Sequence, residues 1–237
     1  MKAAPVDIAS GTLLADRFRI RTPKPADPHA MASVVAELAA NFDWAGPVGC
    51  AFPGVVQQNT IRTAANLDPG WVGVNGSDVF AAALGQDPSM VNIVNDADAA
   101  GIAELEHGAG AGRTGSVMMI TLGTGIGTAL FTDGALVPNT ELGHLILDGR
   151  DAEETASARA REDADQKWVD WAPGLNRYLH EVHRLLWPDL IILGGGVSSK
   201  FSKFADLLDV ETEVVPATLR NEAGIVGAAM GLVRGLG

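Results

Sequence analysis

The sequence predicts an α/β fold of two lobes, and three observations predict it. Short apolar runs alternate with helical patterns in both halves of the 237-residue chain, as strands covered by helices do. Val117–Leu130, VMMITLGTGIGTAL, is an apolar strand that breaks into Leu-Gly-Thr-Gly-Ile-Gly and resumes as a second apolar strand with no charge in between. One apolar run stops at the polar pair Asn95-Asp96 and another at Gly194-Gly195-Gly196, and open α/β sheets bind ligands beyond the carboxyl ends of their strands. With 47% hydrophobic and 19% charged residues, the chain can bury a core for one large or two small domains.

Ala3–Asp7 and Arg17–Thr22 read as strands around the turn Ala9-Ser10-Gly11, the second by the alternation in RFRIRT. PKPADP, residues 23–28, is a loop; His29–Phe42 is a helix whose apolar positions Met31, Val34, Val35, Leu38 and Ala39 share one face. Val48–Phe52 is a buried strand stopped by Pro53-Gly54, and Val91–Val94 another stopped by Asn95-Asp96. A helix runs from Ala97 to about His107, closed by the glycines of HGAGAGRTG. The glycine hairpin opens the second half, helices follow around 153–165 and 166–187, and a strand at Leu190–Leu193 ends in three glycines. The last helix is Ala223–Leu236. Lobes are therefore expected at 1–112 and 113–237, with the last helix able to cross back.

Seventeen basic against 29 acidic residues leave a net charge of −12, which speaks against broad nucleic-acid binding. No apolar stretch reaches the roughly 18–20 residues that span a bilayer. MKAAPVDIASG has one lysine and no apolar run behind it, so a cytoplasmic protein without membrane contact is expected. Cys50, the single cysteine, sits in the apolar run VGCAF and reads as a core thiol rather than a nucleophile; no Cys/His cluster has zinc-ligand spacing. Arg150, Arg159, Arg161, Lys167 and Arg177 are interleaved with acids such as Asp151, Glu154 and Asp163, which reads as a solvated face.

Glycines at 123, 125 and 127 let the backbone turn tightly and bring N–H groups near a ligand, while Thr121, Thr124 and Thr128 add hydroxyls; together they suit a phosphate cradle. A glycine turn between strands also serves as a plain hairpin, and the string matches neither GxxxxGK[ST] nor the strand–GxGxxG–helix fingerprint. Asp96, at a strand end with a helix behind it, is placed for a catalytic carboxylate and equally for a helix N-cap, a role open to Asp98 too. Asn139-Thr140-Glu141-Leu142-Gly143-His144 gathers an amide, a carboxylate and an imidazole, a set able to bond several sugar hydroxyls; the plain alternative is a polar turn with a satisfied histidine. Asn66 and Glu153 are further polar candidates.

Six strings occur in order: FPGVV (52–56), NLDPGW (66–71), NDADAAG (95–101), TLGTGIGTALF (121–131), NTELGHL (139–145) and DLIILGGGVS (189–198). Together they resemble the ROK family of sugar kinases over nearly the whole chain, in the form of its polyphosphate-glucokinase branch. The resemblance implies an actin-like ATPase (ribonuclease H-like) fold, in which strand, glycine turn and strand make a phosphate loop. It implies phosphoryl transfer from inorganic polyphosphate or ATP to the 6-hydroxyl of glucose, with Asp96 as the general base. Asn66, Asn95, Glu141, His144 and Glu153 would hold the sugar hydroxyls. Thr121, Gly123, Thr124 and Gly125 would face the donor phosphates, and Gly194, Gly195 and Gly196 would lie where an adenosine or a polyphosphate chain passes. Mg2+ would accompany the donor, and a homodimer is the common form of the family.

Two departures shape the expectation. Many ROK kinases carry a CxCGxxGC zinc motif after the GH pair; Leu145–Ala158 holds no cysteine, so neither a metal-ligand set nor structural zinc is expected. The family also opens with a DxGGSxIK-type phosphate turn, and Met1–Asp7 matches only the stretch just after that turn, so the first strand of the fold is expected to be missing. The alternative reading is therefore a catalytically impaired ROK-fold glucose-binding protein, and a third is a start codon assigned too late. ROK repressors carry a helix-turn-helix ahead of the fold, so no nucleic-acid partner is expected.

Overall fold

The computed structural model describes residues 1–65 and 67–234, so the expectations at Asn66 and for a helix end at Leu236 lie outside the described residues. Contacts divide the chain into two units, Met1–Ala103 with the C-terminal helix, and Glu104–Asn221. The division falls inside a helix, ahead of the expected boundary at residue 112, and the last helix joins the first unit rather than the second.

In the first unit, β1 (Val48–Phe52) and β2 (Val91–Asn95) pair in parallel, with Val48 opposite Val91 and Phe52 opposite Asn95. Helix α1 (Pro28–Asn41) begins where Asp27 accepts the Ala30 N–H at 2.9 Å, with proline pre-set for the first turn. Helix α2 (Gly76–Leu84), unread in the sequence, is punctuated by an Asn75 cap and a left-handed Gly85. Their apolar faces enclose Met31, Val35, Phe52, Ile61, Trp71, Phe80 and Ile93. Trp71 is the centre of this core: its ring meets Phe52 and Phe80 edge-on, and its indole N–H donates to the Ala26 carbonyl at 3.0 Å. The N-terminal run forms short pairs, Lys2–Ala3 with Phe18–Arg19 and Val6–Asp7 with Thr12–Leu13, where continuous strands are expected. Pro5 has no N–H to give a ladder and lies at the interruption. Cys50 is half-buried, and desolvation pushes its thiol up to about 12, which makes it inert as a nucleophile.

Helix α3 (Asp96–His107) leaves β2 directly and carries the chain into the second unit. There β3 (Ser116–Leu122), β4 (Ile126–Thr132), β5 (Ala135–Val137), β6 (Leu190–Gly195) and β7 (Glu213–Pro216) form one sheet in the order β5-β4-β3-β6-β7. β3 and β4 are an antiparallel hairpin that runs from Ser116 opposite Thr132 to Leu122 opposite Ile126. β6 lies parallel on the other side of β3 and extends past Leu193, placing Gly194 opposite Thr121 and Gly195 opposite Leu122. The three-glycine run is thereby set beside the hairpin turn. The expected helix at 153–165 breaks into α4 (Glu153–Ala156) and α5 (Ala158–Asp163), because the Ser157 hydroxyl caps the second piece by accepting the Ala160 N–H at 3.1 Å. Helix α6 (Trp168–Leu186) lays Trp171, Leu175, Tyr178, Leu179 and Val182 against Met118, Ile120, Ile191 and Leu193 of the sheet. Helix α7 (Ala223–Arg234) belongs to the first unit, where a Cβ on Gly227 would lie 1.6 Å from the Ala99 carbonyl oxygen; only glycine permits so close an approach to α3. Among the described residues no helix is long and apolar enough to cross a membrane.

Candidate active site

Asn95 ends β2 buried, and its side chain is committed to the backbone. Its Oδ1 accepts the N–H groups of Ala97 and Asp98 at 2.8 and 3.0 Å, and its Nδ2 donates to the Gly54 carbonyl at 3.0 Å. Asn95 is thus the cap of α3, the role that the sequence leaves open to Asp96 or Asp98, and only its second amide hydrogen remains for a ligand. Asp96, the first residue of the helix, retains solvent-exposed surface although protein atoms crowd it. Desolvation pushes its carboxyl above the usual carboxylate range, against the pull of the Ala97 N–H and its own. Raising a carboxylate's affinity for a proton without capping duty suits it to proton transfer.

The hairpin turn between β3 and β4 is closed by the Gly123 N–H donating to the Gly125 carbonyl at 3.0 Å, and braced by the Arg159 N–H donating to the Gly123 carbonyl at 3.0 Å. Of the three threonines expected to offer hydroxyls, only Thr124 is exposed, at the tip. Thr121 is half-buried and donates to the Gly127 carbonyl at 3.3 Å. Thr128 is buried; its hydroxyl donates to the Thr140 carbonyl at 2.6 Å, while the Thr140 hydroxyl donates to the Thr128 carbonyl at 3.0 Å. Two of the three hydroxyls therefore fasten chain to chain instead of lining a cradle.

A carboxylate supports this turn. Glu153, at the start of α4, accepts the Ile126 N–H through Oε2 at 3.0 Å, and a Cβ on Gly125 would come within 2.3 Å of that oxygen. Glycine at 125 is what lets the Glu153 carboxylate reach beneath the turn. On the neighbouring strand Gly195 has φ +78°, and a Cβ there would lie 2.3 Å from the Leu122 carbonyl oxygen. Gly196 faces open space, so β6 ends beside the hairpin with a strip of bare backbone.

The Thr128–Thr140 pair also anchors the next segment, since the Leu142 N–H donates to the Thr128 hydroxyl at 3.2 Å. Leu142–His144 then make one 3-10 turn, with Glu141 immediately ahead of it. The exposed His144 ring places Nδ1 2.7 Å from Oδ2 of Asp151. This bond is the main cause that pushes the imidazole above its ordinary pKa; burial opposes it, and the charges of Glu153, Asp151 and Glu141 add to it. One ligand-type atom from each of His144, Asp151 and Glu153 lies within 4.8 Å of the others. His144 Nδ1 and Glu153 Oε2 are nonetheless taken up by Asp151 and the Ile126 N–H, so the cluster is knit by protein hydrogen bonds.

Among the sequence candidates of the second unit, the structure brings Gly125 against Glu153 and sets Gly194–Gly196 beside the hairpin, while Asn95 and Asp96 stand together in the first unit. The sequence reading missed Asp151. Its signal is Asp148-Gly149, whose φ angles of +54° and +80° turn the strands Ile146–Leu147 and Arg150–Asp151 back on each other. The basic residues of this region are largely engaged, Arg159 with Asp163, Arg177 with Asp148, and Arg161 over the Trp168 ring at 4.2 Å, in keeping with a solvated face.

Comparison with known proteins gives consistent matches. The pattern of the ROK family covers residues 3–159. Polyphosphate glucokinase of Mycobacterium tuberculosis is 47% identical over 233 residues, which are 98% of this chain and 87% of that protein. The inorganic polyphosphate/ATP-glucomannokinase of Arthrobacter sp. strain KM is 47% identical and superposes with a TM-score of 0.91, covering 99% of this chain and 94% of the other. A ROK family glucokinase from Streptomyces griseus, solved in complex with glucose and AMPPNP, is 25% identical with a TM-score of 0.78 over 95% of this chain and 93% of its own.

Proposed function

The chain belongs to the ROK family and has the actin-like ATPase fold of its sugar kinases, and on that premise we propose that it phosphorylates glucose at the 6-hydroxyl with inorganic polyphosphate or ATP as donor. The observation that carries the reading is the division of labour at the end of β2, where Asn95 caps the helix and leaves the Asp96 carboxylate for chemistry. Asp96, ionised, accepts the proton of the 6-hydroxyl as that oxygen forms its bond to the donor's terminal phosphorus. The bridging P–O bond breaks, and the electron pair leaves with ADP or with a polyphosphate one unit shorter.

Phosphoryl transfer depends mainly on position and electrostatics, and the remaining residues supply those. Asn66, Asn95, Glu141, His144 and Glu153 are each assigned to sugar hydroxyls, Glu153 through the oxygen not spent on the Ile126 N–H and Asn95 through its second amide hydrogen. Thr124 and Gly125 offer hairpin N–H groups and one exposed hydroxyl to the donor phosphates, while the Gly123 N–H, expected there too, is spent closing the turn on the Gly125 carbonyl and the Thr121 side chain braces it. The exposed backbone of Gly195 and Gly196 lies along the rest of the donor, whereas Gly194, expected there too, is buried against Met119. Residues 122–126 contain no carboxylate, and the one that reaches beneath the turn, Glu153, accepts the Ile126 N–H, so the turn meets a phosphate through backbone N–H groups. Mg2+ held on the donor oxygens would screen their charge in this chain of net charge −12. A homodimer belongs to the same proposal and is supported by the exposed apolar side chains Val169, Leu185 and Trp187 on and after α6.

The experiment is a coupled assay of hexose 6-phosphate formation with Mg2+, offering polyphosphate and ATP in turn to glucose and to mannose. Glucose 6-phosphate formed with either donor supports the proposal. Glucose binding by calorimetry without turnover would overturn it in favour of a sugar-binding protein.

A further inference from the structure

The Asp-Gly hairpin after the His144 turn adds little to the core: Leu147 packs against it, but Ile146 is 64% exposed, and residues 148–150 are exposed. What the hairpin does achieve is register. The turn at Asp148-Gly149 sets Asp151 opposite Ile146, and the Ala152 N–H donates to the Leu145 carbonyl at 2.9 Å, which extends the pairing by one residue. The chain thus returns to His144 with a carboxylate at the right position. Arg177 on α6 holds Asp148 at the tip of the same hairpin by an ion pair. From this geometry we propose that Asp151 is a positioning residue for sugar binding, fixing the ring orientation and tautomer of His144.

An ionised carboxylate only accepts hydrogen bonds, so the 2.7 Å contact requires the hydrogen on Nδ1. Nε2 is then left with its lone pair, and neutral His144 presents an acceptor to one sugar hydroxyl. Without Asp151 the ring is free to rotate and to place its hydrogen on either nitrogen, and a fraction of molecules would offer a donor where an acceptor is needed. The same pairing links sugar affinity to pH. Asp151 from the hairpin, Glu153 from α4 and Glu141 ahead of the turn all favour the protonated ring, with Asp151 first among the causes. Protonation at Nε2 removes the acceptor, so the KM for glucose rises as pH falls through the raised imidazole value. In Asp151→Asn that rise moves to lower pH.

This inference rests on the reading of His144 as a sugar ligand, and the test separates the two. Nitrogen-15 shifts of the His144 ring report its tautomer without any turnover, and glucose KM and kcat are measured for Asp151→Asn, Asp151→Glu, His144→Ala and the double variant. The expected result is an Nδ1–H tautomer in the unaltered protein and mixed tautomers in Asp151→Asn. At a pH above the imidazole transition, located by the same nitrogen-15 shifts, KM should rise about tenfold in Asp151→Asn, the worth of one good hydrogen bond, with kcat changed less than about twofold. Asp151→Glu should recover part of the loss, and Asp151→Asn should add nothing to His144→Ala. An Nε2–H tautomer in the unaltered protein overturns the inference, as does an unchanged KM in Asp151→Asn when His144→Ala raises it. An unchanged KM in His144→Ala overturns the reading beneath it.

Discussion

Gly125→Ala separates the hairpin's geometry from its glycine content. Backbone strain is not at issue, because Gly125 is not among the glycines with positive φ. The added Cβ would sit 2.3 Å from Glu153 Oε2, far inside contact distance, so the carboxylate must withdraw from the Ile126 N–H that it accepts at 3.0 Å. Losing a hydrogen bond to a charged acceptor costs about 1.5–3 kcal/mol, while replacing glycine by alanine restricts the unfolded chain and returns about 0.4–1 kcal/mol. The net loss is about 0.5–2.5 kcal/mol, or a fall in Tm of about 1–10 °C for a chain of this size. The companion variant Gly123→Ala meets nothing within 4 Å and also lacks positive φ, so it should keep or slightly raise Tm. Calorimetry or thermal fluorescence reads both, and the donor KM should rise in Gly125→Ala because the turn shifts. Equal Tm values for the two variants would refute the role assigned to Glu153.

Four further outcomes are expected from the structure. In the proposed role Asp96 acts ionised, and since its carboxyl is pushed above the usual range, kcat should fall with decreasing pH at a higher pH than an ordinary carboxylate would give; the acid limb of the pH–rate profile checks this. The ionised form is the one disfavoured by folding there, so Asp96→Asn should melt no lower than the unaltered protein at neutral pH, by calorimetry. Thr128→Val removes a buried hydroxyl that holds Thr140 and Leu142, leaving buried backbone groups unpaired; about 1–3 kcal/mol of stability should be lost, and glucose KM should rise as the Glu141–His144 turn loosens. Glu104 is fully buried and accepts from the N–H groups of Ala109, Thr218 and Leu219 and from the Thr218 hydroxyl. Glu104→Gln turns an amide NH2 toward donors, and Tm should fall by about 5 °C or more.

What the sequence made legible was what local pattern controls. β1 and β2 are recognisable as apolar runs stopped by turn residues, and α1 by its apolar spacing, although its Asp27 cap and Pro28 start read as loop. The glycine hairpin is equally plain, because two apolar strands with no charge between them have few alternatives. Side-chain direction was not legible. Whether Thr128 faces a ligand or the Thr140 backbone depends on strand register, and the helix cap fell to Asn95 rather than to either neighbouring aspartate. The allegiance of the last helix depends on a contact between Gly227 and Ala99, 128 positions apart, that no local window contains. Asp151 reads locally as one acid of a solvated face, because the Asp148-Gly149 turn is visible in the sequence but the strand register that brings the carboxylate back to His144 is not.

The central claim is that Asp96 moves the proton and does not hold the fold or the sugar. The direct measurement is glucose affinity by calorimetry alongside turnover for Asp96→Asn. The account predicts a glucose Kd within about threefold of the unaltered protein, with kcat lowered by about 10²-fold or more. Turnover retained in Asp96→Asn would contradict it.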